Sequence, residues 1–199
     1  MQRIIRWFRL AGCCWSKAQS PVCRNSILDN MTEFLTPGVT APSFRLTAVY
    51  TNRPITPAQY RSRPVLLTFS DHQTAYSTQT LVKGVRRQYD DPRQLMILNV
   101  VDMRAVPRLM RGVARRIMDR LYEQVAKEIP AQYDPQDHLI ILPDWDGAAC
   151  QAYRVPDISR HLALVFLDRE NRVYRSYYGP DSQETAVRQS ASLIARQAS

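Results

Sequence analysis

The chain is 199 residues long, 45% of them hydrophobic and 23% charged, which is enough for one sizeable core and short for two. Its formal net charge of +9 comes mostly from arginine and favours anionic surfaces such as nucleic acid, acidic proteins or lipid headgroups, although scattered arginines also serve solubility. No apolar run approaches the roughly 20 residues that cross a bilayer, so no transmembrane segment is expected.

Four cysteines occur, and Cys13, Cys14 and Cys23 lie in the first thirty residues, so no disulfide framework supports the body of the protein. A reducing, cytoplasmic setting is the simplest fit. Residues 1–36 read as a basic, flexible extension. Leu10-Ala11-Gly12-Cys13 has the look of a lipoprotein cleavage box, but Arg6 and Arg9 interrupt the apolar stretch that such a signal requires. A basic tail, a working start at Met31, or an amphipathic membrane anchor built from Trp7, Phe8 and Leu10 among arginines remain as alternatives.

From Phe44 to Val49 the alternation predicts a strand, and Thr56 to Tyr60 a short helix with Thr56 as cap and Pro57 at its first position. Pro64 to Phe69 is a continuous apolar run suited to a strand buried on both faces. A helix follows the polar stretch Ser70 to Tyr76, with Leu81, Val82 and Val85 at helical spacing, and Asp90-Asp91-Pro92 stops it. Leu95 to Val101 is a second buried strand, and strand, helix, strand implies a right-handed parallel crossover.

The longest amphipathic segment runs from Val106 to Ile129, where Leu109, Val113, Ile117, Leu121 and Val125 fall four apart and are expected to face the core. Leu139 to Leu142 reads as a strand and Asp146 to Tyr153 as a short helix. Leu162 to Leu167 turns at Asp168-Arg169-Glu170-Asn171 into Val173 to Tyr178, and a last helix from Ser182 to Arg196 carries Ala186, Val187, Leu193 and Ile194 toward the sheet.

Four strings in this order resemble the redoxin and peroxiredoxin branch of the thioredoxin-like superfamily. They are Pro37-Gly38 through Leu46, Tyr60 through Phe69, Leu142-Pro143-Asp144-Trp145-Asp146-Gly147 with Ala152 to Val155, and Ala163 through Val173. The resemblance covers about residues 37–197. It implies an α/β three-layer sandwich, with a central mixed sheet of about five to seven strands, helices on both faces, and an elongated helical insertion at about 104–130 in a domain spanning 37–199.

The family's reactive cysteine sits in the loop after the Pro64 to Phe69 strand, where a helix start lowers a thiol's pKa. Here that loop reads Ser70-Asp71-His72-Gln73-Thr74-Ala75-Tyr76-Ser77, with no sulfur. A hydroxyl is far less acidic than a thiol and needs an adjacent base to act as a nucleophile. Thr74 and Ser77 therefore mark a degenerate motif, and peroxidase or disulfide-exchange chemistry through this loop is not expected. Asp71, His72 and Ser77 permit a hydrolytic triad on paper, but helix capping by Thr74 or Ser77 is the plainer use.

The proline or arginine that the family places before its closing strand is also missing: His161 and Leu162 occupy the place, and Arg160 is only roughly positioned. Cys150 reads as a small buried hydrophobe, with a relocated redox thiol as the alternative. His138 with Asp134 and Asp137 lacks a second ligand pair and reads as loop, so neither metal nor cofactor is expected. Arg104, Arg108, Arg111 and Arg115 recur at three- and four-residue intervals on the long helix, and Arg116 and Arg120 extend the positive surface. Arg108, Arg111 and Arg115 are the candidates for docking an acidic protein partner; sparse aromatics argue against nucleic acid, and a homodimer is compatible.

Taken together, these readings predict a redoxin-like protein without the usual thiol, acting as a binding or scaffold protein. A divergent thiol-dependent antioxidant oxidoreductase using Cys150 or an amino-terminal cysteine is the alternative.

Overall fold

The computed structural model of the chain describes residues 33–198. Nearly all of the amino-terminal extension, including Cys13, Cys14 and Cys23, lies outside the described residues. A five-stranded mixed sheet forms the centre, in the order β5 (Ile140–Asp144), β4 (Met96–Asp102), β3 (Val65–Ser70), β6 (Ala163–Leu167), β7 (Val173–Tyr178). β3, β4 and β5 are parallel, β6 runs antiparallel to β3, and β7 antiparallel to β6.

Every residue of β3 and of β6 is buried, as continuous apolar runs require when both sheet faces are covered. Leu67 pairs with Leu98 on one side and Val165 on the other, so β3 is hydrogen-bonded along both edges. Alternation sends Leu66, Ile97, Leu164 and Phe166 to one face, under α1 (Ala75–Arg86) and α5 (Ser182–Ala198). Leu67, Phe69, Leu98 and Leu142 go to the other, under Phe44, Tyr153 and Ile158. The Thr68 hydroxyl donates to Asn99 Oδ1 at 2.9 Å, and Asn99 Nδ2 donates to the Ile140 carbonyl at 3.1 Å, joining three strands through buried polar groups.

Several elements differ from expectation. β1 is only Leu46–Thr47, paired with β2 (Pro54–Ile55), because the chain turns back at Tyr50 and Asn52, both at positive φ. Pro57–Tyr60 is a 3-10 turn with no α-helical continuation, with Gln59 Oε1 accepting from Thr56 N at 3.2 Å. Asp134 to His138 is ordered: Asp134 caps a one-turn helix, α3 (Pro135–His138), by accepting from Gln136 N at 2.8 Å.

The long helix is α2 (Arg111–Ala126), preceded by a 3-10 turn at Arg108–Met110. Its apolar line faces the body of the protein only in part, with Ile117 and Val125 half-buried. Leu109, Val113 and Leu121 are exposed, Leu109 at 95%, while Ala114 and Tyr122 are buried. The most buried positions, Ala114 and Tyr122, follow Val113 and Leu121 by one residue, so the helix is turned partly away from the expected orientation. Local moorings set that rotation: Tyr122 stacks on Tyr50 at 4.8 Å, Tyr50 N donates to Asp119 at 2.9 Å, and Lys83 Nζ meets Glu128 at 2.8 Å.

Arg86, at the end of α1, is buried. Its guanidinium donates to the carbonyls of Leu95 at 2.9 Å, Tyr89 at 3.2 Å and His138 at 3.4 Å, tying α1 to the starts of β4 and β5. Burial lowers its pKa to about 10, so it stays charged at neutral pH. Arg86→Met leaves those carbonyls without a donor and is expected to cost about 2–4 kcal/mol, read by urea denaturation; an unchanged midpoint would contradict this role.

Candidate active site

β3 ends at Ser70, and the loop leading to α1 lies at the carboxyl ends of the parallel strands, where open α/β sheets hold their ligands. Asp71 and Thr74 close this loop on each other. Asp71 Oδ1 accepts from Gln73 N at 2.8 Å and from Thr74 N at 3.0 Å, and Asp71 N donates to Thr74 Oγ1 at 3.0 Å. The Thr74 hydroxyl, 4% exposed, also reaches Asp71 Oδ1 at 3.0 Å and the carbonyl of Ile158 at 3.2 Å. It therefore pins the loop before α1 to the segment before β6. The hydroxyl is held inside the fold and not presented to solvent.

Ser77 is exposed on the first turns of α1. His72 Nδ1 lies 3.7 Å from Asp71 Oδ2, so two members of the paper triad meet, but the hydroxyl that Asp71 holds is that of Thr74. His161 stands edge-on to Tyr178, and Arg160 is exposed.

The structure brings Cys150 to this place, which the sequence alone did not. A cleft of about 90 Å³ is lined by Asp71, Asp102, Arg104, Cys150 and the 155–159 segment. Cys150 is 4% exposed, on α4 (Ala148–Ala152), and its backbone N donates to Asp144 Oδ2 at 3.0 Å. Burial first, then the carboxylates of Asp144 and Asp102, push its thiol up to about 12; the guanidinium of Arg104 opposes them and is outweighed. This is the reverse of the setting that activates a cysteine.

Arg104 forks onto Asp102, with Nε to Oδ1 at 3.0 Å and a terminal nitrogen to Oδ2 at 2.7 Å. Burial opposes the effect, but the hydrogen bonds from Arg104 dominate and lower the Asp102 pKa. Arg104 lies so close to Gly147, at φ +77°, that a Cβ there would come within 2.4 Å of its Cδ. Sequence reading did not place Asp102, Arg104 or Asp144 at the site. The available signal was an aspartate closing each of two apolar runs, at the carboxyl ends of β4 and β5.

Of the three arginines expected to dock a partner, two are engaged within the fold. Arg111 donates to the Trp145 carbonyl and to Asp146 Oδ1, both at 2.9 Å, and lies over the Trp145 ring. Arg115 donates to Asn52 Oδ1. Only Arg108 is fully exposed. Asp137 pairs with Arg53 at 3.6 Å, and burial with the nearby Arg86 lowers the His138 pKa to about 4. No group of three metal-ligating side chains occurs among the described residues.

Strand order, crossover and site position together define a thioredoxin-like α/β fold. No protein-family model matches the chain, and no curated protein is similar to it in sequence. Solved structures are similar. A putative thiol:disulfide interchange protein DsbE from Chlorobium tepidum aligns with 16% identity and a TM-score of 0.54, over 80% of this chain and 98% of that one. Peroxidoxin BcpB from Mycobacterium tuberculosis aligns with 14% identity and a TM-score of 0.55, over 80% and 96%. An uncharacterized conserved protein from Geobacillus kaustophilus gives 16% and 0.59, over 83% and 87%. At these identities the likeness establishes the fold.

Two outcomes test this site. Thr74→Val removes the hydroxyl that joins the two loops and is expected to cost about 1–2 kcal/mol in chemical denaturation. Native Cys150 should resist iodoacetamide from pH 7 to 9 and react once the chain is unfolded. Because its folded pKa lies above the ordinary value of 9, its contribution to stability is complete below pH 9 and is lost as pH rises toward 12. Cys150→Ala should flatten that decline; rapid alkylation of the folded protein at pH 7 would contradict the assignment.

Proposed function

We propose that this protein is a redoxin-like binding or scaffold protein that performs neither peroxide reduction nor disulfide exchange at the β3–α1 loop. The observation that supports the reading is that neither motif position carries sulfur: the Thr74 hydroxyl is held between Asp71 and Ile158, and Ser77 is an exposed hydroxyl on α1. A thiolate nucleophile needs donors and positive charge around it. This loop offers only hydroxyls, the Thr74 one buried on the Asp71 carboxylate, and the sulfur in the neighbouring cleft has two carboxylates raising its pKa.

The placement of Cys150 beside Asp71 supports a second reading, a divergent thiol-dependent oxidoreductase. In that case peroxide would oxidise Cys150 to a sulfenic acid, which requires the thiolate to form despite its surroundings.

Insulin-reduction and peroxide-consumption assays on the full chain should both stay at background. A sulfenic adduct on Cys150 after mild peroxide, with turnover abolished by Cys150→Ser, would overturn the first reading in favour of the second.

A further inference from the structure

The apolar line that α2 turns partly away from the core is the largest unexplained feature of the surface. Leu109 and Met110, in the 3-10 turn that leads into α2, and Val113 and Leu121, in α2 itself, are all exposed, and Ile117 between the last two is half-buried. Exposed large apolar side chains are otherwise few among the described residues, so this clustering is not the ordinary scatter of a soluble surface.

The flanks of the line are cationic. Arg116 and Arg120 border it and Arg108 precedes it; all three are exposed, none is in an ion pair among the described residues, and they outnumber the exposed carboxylate of Glu123 on the same side of the helix. Arg111 and Arg115 fasten the same helix to the body, so the outer arginines ride on a fixed support.

We propose that this face of α2 docks on an anionic lipid surface, with Leu109, Met110, Val113 and Leu121 entering the headgroup boundary and Arg108, Arg116 and Arg120 meeting lipid phosphates. Charge selects this occupant. A second copy would set the same arginines against each other across a two-fold axis, in a chain whose net charge is +9. A phosphate backbone satisfies arginine but offers nothing to four apolar side chains. An anionic bilayer takes both at once: apolar groups at the boundary and guanidinium groups at the headgroups. The helix lies along the surface as an interfacial helix does, since no helix of the described residues is long and apolar enough to cross a membrane.

The test is sedimentation of the full chain with vesicles of phosphatidylcholine alone and of phosphatidylcholine with phosphatidylglycerol. Binding is expected only to the anionic vesicles and should weaken as salt screens the arginines. Leu109→Glu with Val113→Glu should reduce partitioning about tenfold or more. Arg116→Ser with Arg120→Ser should reduce it roughly tenfold or more, at about one favourable lysine- or arginine-sized interaction per residue. Circular dichroism checks that each variant is folded, as exposed positions predict. Absence of binding to anionic vesicles, or variants that bind as wild type does, overturns the proposal; so does a lipid-free dimer that Leu109→Glu with Val113→Glu converts to a monomer.

Discussion

The constraint on which the molecule depends is the burial of β3 on both faces and its hydrogen bonding along both edges. A strand so enclosed cannot shift register without moving every neighbour, so Ser70 and the loop beyond it are delivered to one fixed place. The same enclosure fixes β4 and β6, and with them Asp102 and the 155–159 segment that face the loop across the cleft. Fold and site are therefore set by a single run of six residues from Val65 to Ser70.

At the site, the chemistry is decided by the sign of the local charge. Thioredoxin-like proteins can host a reactive sulfur because a helix start and nearby cations stabilise its anion. Here the Asp71 carboxylate folds the loop just before the helix onto itself, and the nearby sulfur of Cys150 has Asp144 and Asp102 as neighbours. Arg104 is the cation at hand, and its fork onto Asp102 turns it away from activating the thiol. Gly147 allows that arrangement by leaving room for the arginine side chain.

Much of the fold was legible in the sequence, because continuous apolar runs mark strands with two covered faces and the punctuation at Asp90-Asp91-Pro92 and Asp168 to Asn171 marks the ends. The missing sulfur of the β3–α1 loop could likewise be read directly. What could not be read were relations set by tertiary contact. The rotation of α2 is determined by Tyr122 on Tyr50 and by Arg111 at Trp145, and a helical wheel sees neither partner. Cys150 and Asp71 are far apart in sequence and meet because the parallel strands β5 and β3 both finish at the same end of the sheet. Arg115 reads as a free surface charge until the β1–β2 turn brings Asn52 to it.

The buried hydroxyl of Thr74 has a consequence for how this chain could change. Replacing that residue by cysteine, one substitution, would set a bulkier sulfur in a space already closed by a carbonyl and a carboxylate. Its anion would be repelled there by the Asp71 carboxylate, so a stable thiolate at this place would require Asp71 to change as well. A thiolate here therefore takes two coupled substitutions, the first of which removes the hydroxyl that joins the two loops.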